Sequence, residues 1–227
     1  MSIRKLTALA FAICATAAAS AAQAATISLP AATFRGGVKG GAYQNNYTGP
    51  NSIFHSDSFD TISAASSVSP GFNVSTSGTS TDLGAGAIGE AHAKYYFALI
   101  SPVPTILHML INATATAGGS GSYFAEAEVD INAKDGTLNK TLAYSHACNN
   151  VAFCNSFQNV YGDGGEVAIT LAANKIYSIS MDVDGYIKTS GSTFSAFADP
   201  LLSFDPAFDH PGDVTIEFSA NLPQSTL

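Results

Sequence analysis

Asp182 and Asp184 stand two residues apart in "MDVDGY", and two Asp-Pro pairs follow in "SAFADPLLSFDPAFDH", at Asp199-Pro200 and Asp205-Pro206. Oxygen donors at this density suit calcium, which takes roughly six to eight of them, carboxylate and carbonyl together. On a strand Asp182 and Asp184 share one face about 7 Å apart. Asp199, Asp205, Asp209 and Asp213 lie in the segments beyond. The candidate calcium set is therefore Asp182, Asp184, Asp199 and Asp205, although "DVDG" lacks the further ligand positions of an EF-hand loop. A solvated acidic face explains the same aspartates without a ligand. The Asp-Pro pairs also have a structural reading. Asp accepts hydrogen bonds from backbone just ahead of it, and Pro fixes φ near about −65° while removing a donor. Read so, the pairs are bends that bracket one short edge element, "LLSFD".

Other chemistry is thinner. Glu126 and Glu128 share a strand face at i, i+2, as two acids for glycoside hydrolysis would, but Asp130 simply continues an acidic edge and a wet strand face accounts for all three. His55, His92, His108, His146 and His210 show no metal-ligand spacing. His92 and His108 become outward neighbours if their two strands form a hairpin. No G-x-S-x-G elbow occurs. Tyr43, Asn45 and Tyr47 in "AYQNNYTGP" combine aromatic and amide groups of the kind that grip sugars; the same residues also read as a turn before Pro50.

The chain opens with Arg4 and Lys5, an uncharged run rich in alanine, and then Ala22-Gln23-Ala24. That order is a secretory signal peptide over residues 1–24, cut after Ala24. Ile13 before Cys14 does not suit a lipoprotein anchor. Residues 25–227 fit one domain, expected to be secreted. Nine basic residues face 17 acidic ones, a net charge of −8, and cleavage removes two of the basic ones. Such a surface repels nucleic acid and anionic lipid. No later run is long and apolar enough to span a membrane. Cys148 and Cys154, an even pair in an exported chain, are expected to form a disulfide. Zinc, with His146 beside Cys148, is the rival reading and lacks an evident fourth ligand.

Strict alternation must position these groups. In "SYFAEAEVDIN", Tyr123, Ala125, Ala127, Val129 and Ile131 oppose Phe124, Glu126, Glu128, Asp130 and Asn132. Tyr177, Ile179, Met181, Val183 and Ile187 likewise oppose Ser178, Ser180, Asp182 and Asp184, and "DVTIEFSA" repeats the pattern. Period two means strands with one wet face. "AHAKYYFALIS" and "TILHMLINATATA" read as two more, joined by a hairpin at "SPVP", where Pro102 and Pro104 forbid pairing. Antiparallel strands with short Gly/Ser links must stack two sheets to hide their apolar faces. The expected fold is all-β: a two-sheet antiparallel β-sandwich, jelly-roll-like. Residues 25–88 carry the weakest strand pattern.

The segment "VAITLAANKIYSISMDVDGYIKTSGSTFSAFADPLLSFDPAF" followed by "VTIEFSANL" resembles the extracellular region of bacterial PEP-CTERM proteins, the exosortase-sorted class. The likeness covers Ile88 to Leu222 and is most specific in "AFADP" and "SFDPAF". It implies an exported protein tied to surface polysaccharide and biofilm, without known chemistry. "NLPQSTL" is followed by no apolar helix or basic tail, so free secretion is expected rather than anchoring. The sequence thus reads as a secreted, non-catalytic protein of the extracellular or surface matrix, acting by association or adhesion. It is expected to need no cofactor, with calcium a candidate ion. A carbohydrate-binding module, calcium-assisted, is one alternative; a polysaccharide-acting hydrolase is the other.

Overall fold

A computed structural model describes residues 27–40, 43–49, 53–59, 62–68, 73–80, 86–149, 154, 160–163, 165–206 and 214–222, with backbone alone for 39–40, 43–49, 53–59, 62–68 and 160–163. Residues 1–24, where a signal peptide is expected, and Asp209 and Asp213 fall outside the described residues. Among the described residues fourteen strands run in chain order: β1 (Thr33–Gly40), β2 (Tyr43–Gly49), β3 (Ile53–Phe59), β4 (Ile62–Val68), β5 (Val74–Ser80), β6 (Ala87–Ile100), β7 (Ile106–Ser120), β8 (Tyr123–Ala133), β9 (Asn139–Asn149), β10 (Val160–Asp163), β11 (Gly165–Ala172), β12 (Ile176–Ile187), β13 (Thr193–Phe204) and β14 (Thr215–Phe218). Five of them fall in the weakly patterned stretch before Gly86.

The pairings are antiparallel and make two sheets. The first has the order β10-β9-β8-β12-β6-β1-β2, with β14 also on β6; the second has β11-β7-β13-β5-β4-β3. Within them, β5-β13-β7-β11 lies over β6-β12-β8-β9. That is the strand order of a jelly roll, eight strands in two Greek keys. β1, β2, β10 and β14 widen one sheet, and β3 and β4 the other.

Alternation decides which residues meet between the layers. Ala125, Ala127, Val129 and Ile131 of β8 and Ile179 of β12 are wholly buried, as are Leu107, Met109 and Ile111 of β7 opposite them. Each large side chain among them contributes about 1.5–3 kcal/mol on leaving water. Asn221 closes the sheet beyond β14: its side-chain oxygen accepts from the Ala32 N–H at 2.7 Å and its amide donates to the Ala32 carbonyl at 3.0 Å.

Two expectations need correction. "SPVP" does not turn a hairpin: β6 pairs with β1, β12 and β14 in the first sheet, while β7 pairs with β11 and β13 in the second. The prolines remove donors at the point where the chain crosses between layers. The two Asp-Pro pairs are not matching brackets either. Asp199-Pro200 lies inside β13, whose pairing with β7 runs unbroken from Thr193 to Phe204. The bond from the Asp205 N–H to the His108 carbonyl fixes which residues bond to β7, and Pro200 is on the opposite count. Its missing donor faces the β5 side, where pairing has already ended at Ala198. Only Asp205-Pro206 marks an end, just past Phe204.

Cys148 and Cys154 are joined as a disulfide, with Cα atoms 5.7 Å apart. His146 is buried against the Phe124 ring, centroids 5.0 Å apart.

Candidate functional site

The outward residues of β8, β12 and β6 come into register across the middle of the first sheet. Glu126 is opposite Asp184, and Asp184 is opposite Glu90. One step along, Glu128 is opposite Asp182, Asp182 opposite His92, and His92 opposite Arg35 of β1. A third row runs Asp130, Ser180, Lys94. Six carboxylates thus occupy one face, with cations gathered on the β1–β6 side. Side chains directly opposite on neighbouring strands sit about 4.5–5.5 Å apart at Cβ, and like charges so placed repel.

Local partners absorb part of that repulsion. Asp182 Oδ1 bonds to His92 Nδ1. Tyr144 of β9 donates its hydroxyl to Glu126 at 3.2 Å, and Thr141 donates to Glu128 at 3.2 Å. Lys94 lies over the Tyr96 ring, 5.6 Å from its centre. Among the described residues, Asp184 has no such partner at short range. Crowding out of water, then the charges of Glu90, Asp182 and Glu126, lift its carboxyl from 3.8 to about 6, against a smaller pull from Arg35. Asp184 is nonetheless exposed as a residue; the crowding acts on the carboxyl. Glu128 is raised as well, by desolvation first and then by Asp130. The Tyr144 phenol is pushed up to about 12, by desolvation and then by the Glu126 charge.

The predicted site residues divide. Asp182 and Asp184 lie on this face, joined by Glu126 and Glu128. Asp199 and Asp205 belong to β13 and its exit in the other sheet, with Asp199 opposite Thr114. The four proposed calcium ligands therefore do not converge. Among the described residues no three His, Cys, Asp or Glu groups converge to hold a metal ion. His92 and His108 lie in different sheets, not across a hairpin. Tyr43, Asn45 and Tyr47 occupy β2, opposite Gly40, Val38 and Gly36 in the backbone register; their side chains lie outside the described residues.

No family model matches the chain. No curated protein matches it significantly. Among solved structures, the enzymatically active domain of tailspike protein 4 from bacteriophage CBA120 is similar at 11% identity, covering 68% of this chain, with a TM-score of 0.25. The chain spans only 19% of the length of that protein.

Glu90 is among the site residues that sequence reading missed. Its signal was present: Glu90, His92 and Lys94 alternate along "GEAHAKYYF" as one polar face. The register of β6 against β12, which makes Glu90 a neighbour of Asp184, had no signal. Chemically, the face offers ionised oxygens abreast, an elevated acid at their centre and the half-buried rings of Tyr96, Tyr144 and Tyr186 around them. It can bond to hydroxyl groups and attract cations. A depression of about 370 Å³ opens beside β9, lined by Thr141, Leu142, Tyr144, Glu166 and Val167.

Proposed function

We propose that this chain is a secreted, non-catalytic protein of a bacterial surface or extracellular matrix, related to exosortase-sorted ectodomains, that acts by association with polysaccharide. The observation that carries the reading is the outer face of the first sheet, where Glu90, Asp182, Asp184, Glu126 and Glu128 stand in register on three adjacent strands. Carboxylates accept hydrogen bonds from sugar hydroxyls, and tyrosine rings beside them offer apolar surface to a sugar ring. A long polymer chain needs an extended face more than a pit. The leader-like first 24 residues support export.

The test is retention of the labelled chain on immobilised polysaccharides, with and without calcium. Saturable binding is expected, weakened several-fold by Tyr186→Ala or by Glu126→Gln. Equal retention of the wild-type chain and both variants, or no retention on any polymer, sinks the proposal.

A second reading, polysaccharide hydrolysis, draws on Asp184. An acid raised to about 6 between two neighbouring carboxylates has the divided protonation that a general acid and its partner require. New reducing ends released by the wild-type chain and not by Asp184→Asn would favour this reading over passive association.

A further inference from the structure

The geometry points to β11 as a self-complementary edge, through which two copies of this chain pair antiparallel and fuse their second sheets into one. This inference goes beyond polysaccharide binding and does not depend on it.

Among the described residues, β11 closes one side of the second sheet and pairs only with β7. Its outward backbone can be read residue by residue. The Ala173 N–H donates to the Thr105 carbonyl at 2.8 Å, which continues the β11–β7 register. Residues Gly165, Val167, Ile169 and Leu171 share that count and spend their backbone bonds on β7. Glu166, Ala168, Thr170 and Ala172 therefore direct N–H and C=O away from the sheet. Ala172 is satisfied by a side chain: its N–H donates to the Tyr177 hydroxyl at 2.8 Å, and that hydroxyl donates to its carbonyl at 3.2 Å. Among the described residues, nothing does the same for Glu166, Ala168 or Thr170.

Exposed edges are usually blunted by Pro, Lys, a bulge or short length. One edge of the first sheet follows that rule, since β10 has four residues and an irregular register against β9. β11 does not. "GEVAITLA" has eight residues, neither Lys nor Pro, and an unbroken register.

A second copy fits this edge in an alignment that sets its outward residues against one another. With a two-fold axis through Ala168, Glu166 of each copy faces Thr170 of the other, and Ala168 faces Ala168. These are the residues with outward backbone groups, so each pair exchanges both bonds. The only charge on the strand meets a hydroxyl rather than its own copy, and Val167 meets Ile169. Moving the axis one residue toward Leu171 sets Glu166 against Ala172, whose groups Tyr177 already holds.

Sedimentation equilibrium of the full chain, from about 1 to 200 µM, is expected to show a monomer–dimer equilibrium. Ala168→Pro removes the central outward donor and spares every bond to β7, so it is expected to give a monomer with unchanged circular dichroism. Thr170→Glu, which opposes two carboxylates, should weaken dimerisation about tenfold, while Thr170→Lys should tighten it. This opposed pair tests the register even if the proline variant fails to fold. A wild-type chain that stays monomeric throughout the range overturns the inference. So does a dimer that responds alike to Thr170→Glu and Thr170→Lys.

Discussion

Asp184 shows how one residue acquires its chemistry from three strands. Its neighbours along the chain are Val183 and Gly185, neither of which has any charge. What raises its carboxyl to about 6 is crowding out of water and then Glu90 and Asp182, with Glu126 adding to them. The sign follows from which state holds the proton. Between about pH 4 and 6 the folded chain keeps a proton on Asp184 that the unfolded chain has released, so stability falls as pH rises through that window. Above pH 6 the ionised acid is a full cost; below pH 4 the cost is gone. Asp184→Asn removes it. The variant should be more stable than wild type at pH 7.5, by about 1 kcal/mol once solvent screening of an exposed group is allowed for. The two should converge by pH 4. Thermal unfolding across that range checks the claim, and the gap should narrow in high salt. A constant gap at all pH values would mean the asparagine acts through packing instead.

At the scale of elements, connections carry as much of the fold as strands do. The turn from β11 to β12 places Asn174 at φ 61°, a left-handed conformation that costs most side chains about 1–2 kcal/mol. Asn174 uses the position. Its Nδ2 donates to the Ser101 carbonyl at 2.8 Å, its Oδ1 accepts from the Ser101 N–H at 3.2 Å, and its own N–H donates to the Leu99 carbonyl. Ser101 begins the crossing from β6 to β7, and the β11–β12 turn is itself a crossing, so one asparagine ties together two passages between the sheets. Asn174→Ala loses both the side-chain bonds and the conformational tolerance, and should cost about 2 kcal/mol. Asn174→Gly keeps the tolerance and should cost about half as much. Denaturant midpoints of the two variants, compared with wild type, measure the difference. The same scale explains what the sequence could disclose. Period-two runs such as "YFAEAEVDI" expose a strand and its wet face, because that information is local. Whether "SPVP" turns a hairpin or crosses between layers depends on partners distant in the chain, and the prolines read alike in both cases. Pro200 illustrates the same limit. A proline can sit inside β13 because β5 has stopped beside it, and nothing near Pro200 records where β5 stops. The acidic face was legible strand by strand but not as a face, since its rows exist only through the register of β8, β12 and β6.

The whole molecule is two layers whose outer faces differ in chemistry and whose spacing is set between them. Carboxylates dominate outside the first sheet. Outside the second, β5, β7 and β13 present hydroxyls: Ser77, Thr79, Thr114, Thr116 and Ser195 are exposed there. Between the layers the ring of Phe194, from the second sheet, lies against Gly185 and Gly89 of the first and Gly78 of its own. A Cβ placed on Gly185 would fall inside van der Waals contact with the Phe194 ring. The glycine that ends "DVDG" is therefore explained by packing, with no need for a metal loop. It also couples the two chemistries, because Gly185 follows Asp184 on the same strand. Gly185→Ala must push the ring toward its other glycines or force the sheets apart. The expected cost is about 2–3 kcal/mol, at the upper end of what overpacking does to a filled core. Phe194→Leu alone should also destabilise, by the area it leaves unburied. Combined, the two changes should cost less than their sum, since the smaller side chain makes room for the new methyl group. A double-mutant cycle in urea checks this; strict additivity would place the strain of Gly185→Ala somewhere other than the Phe194 ring.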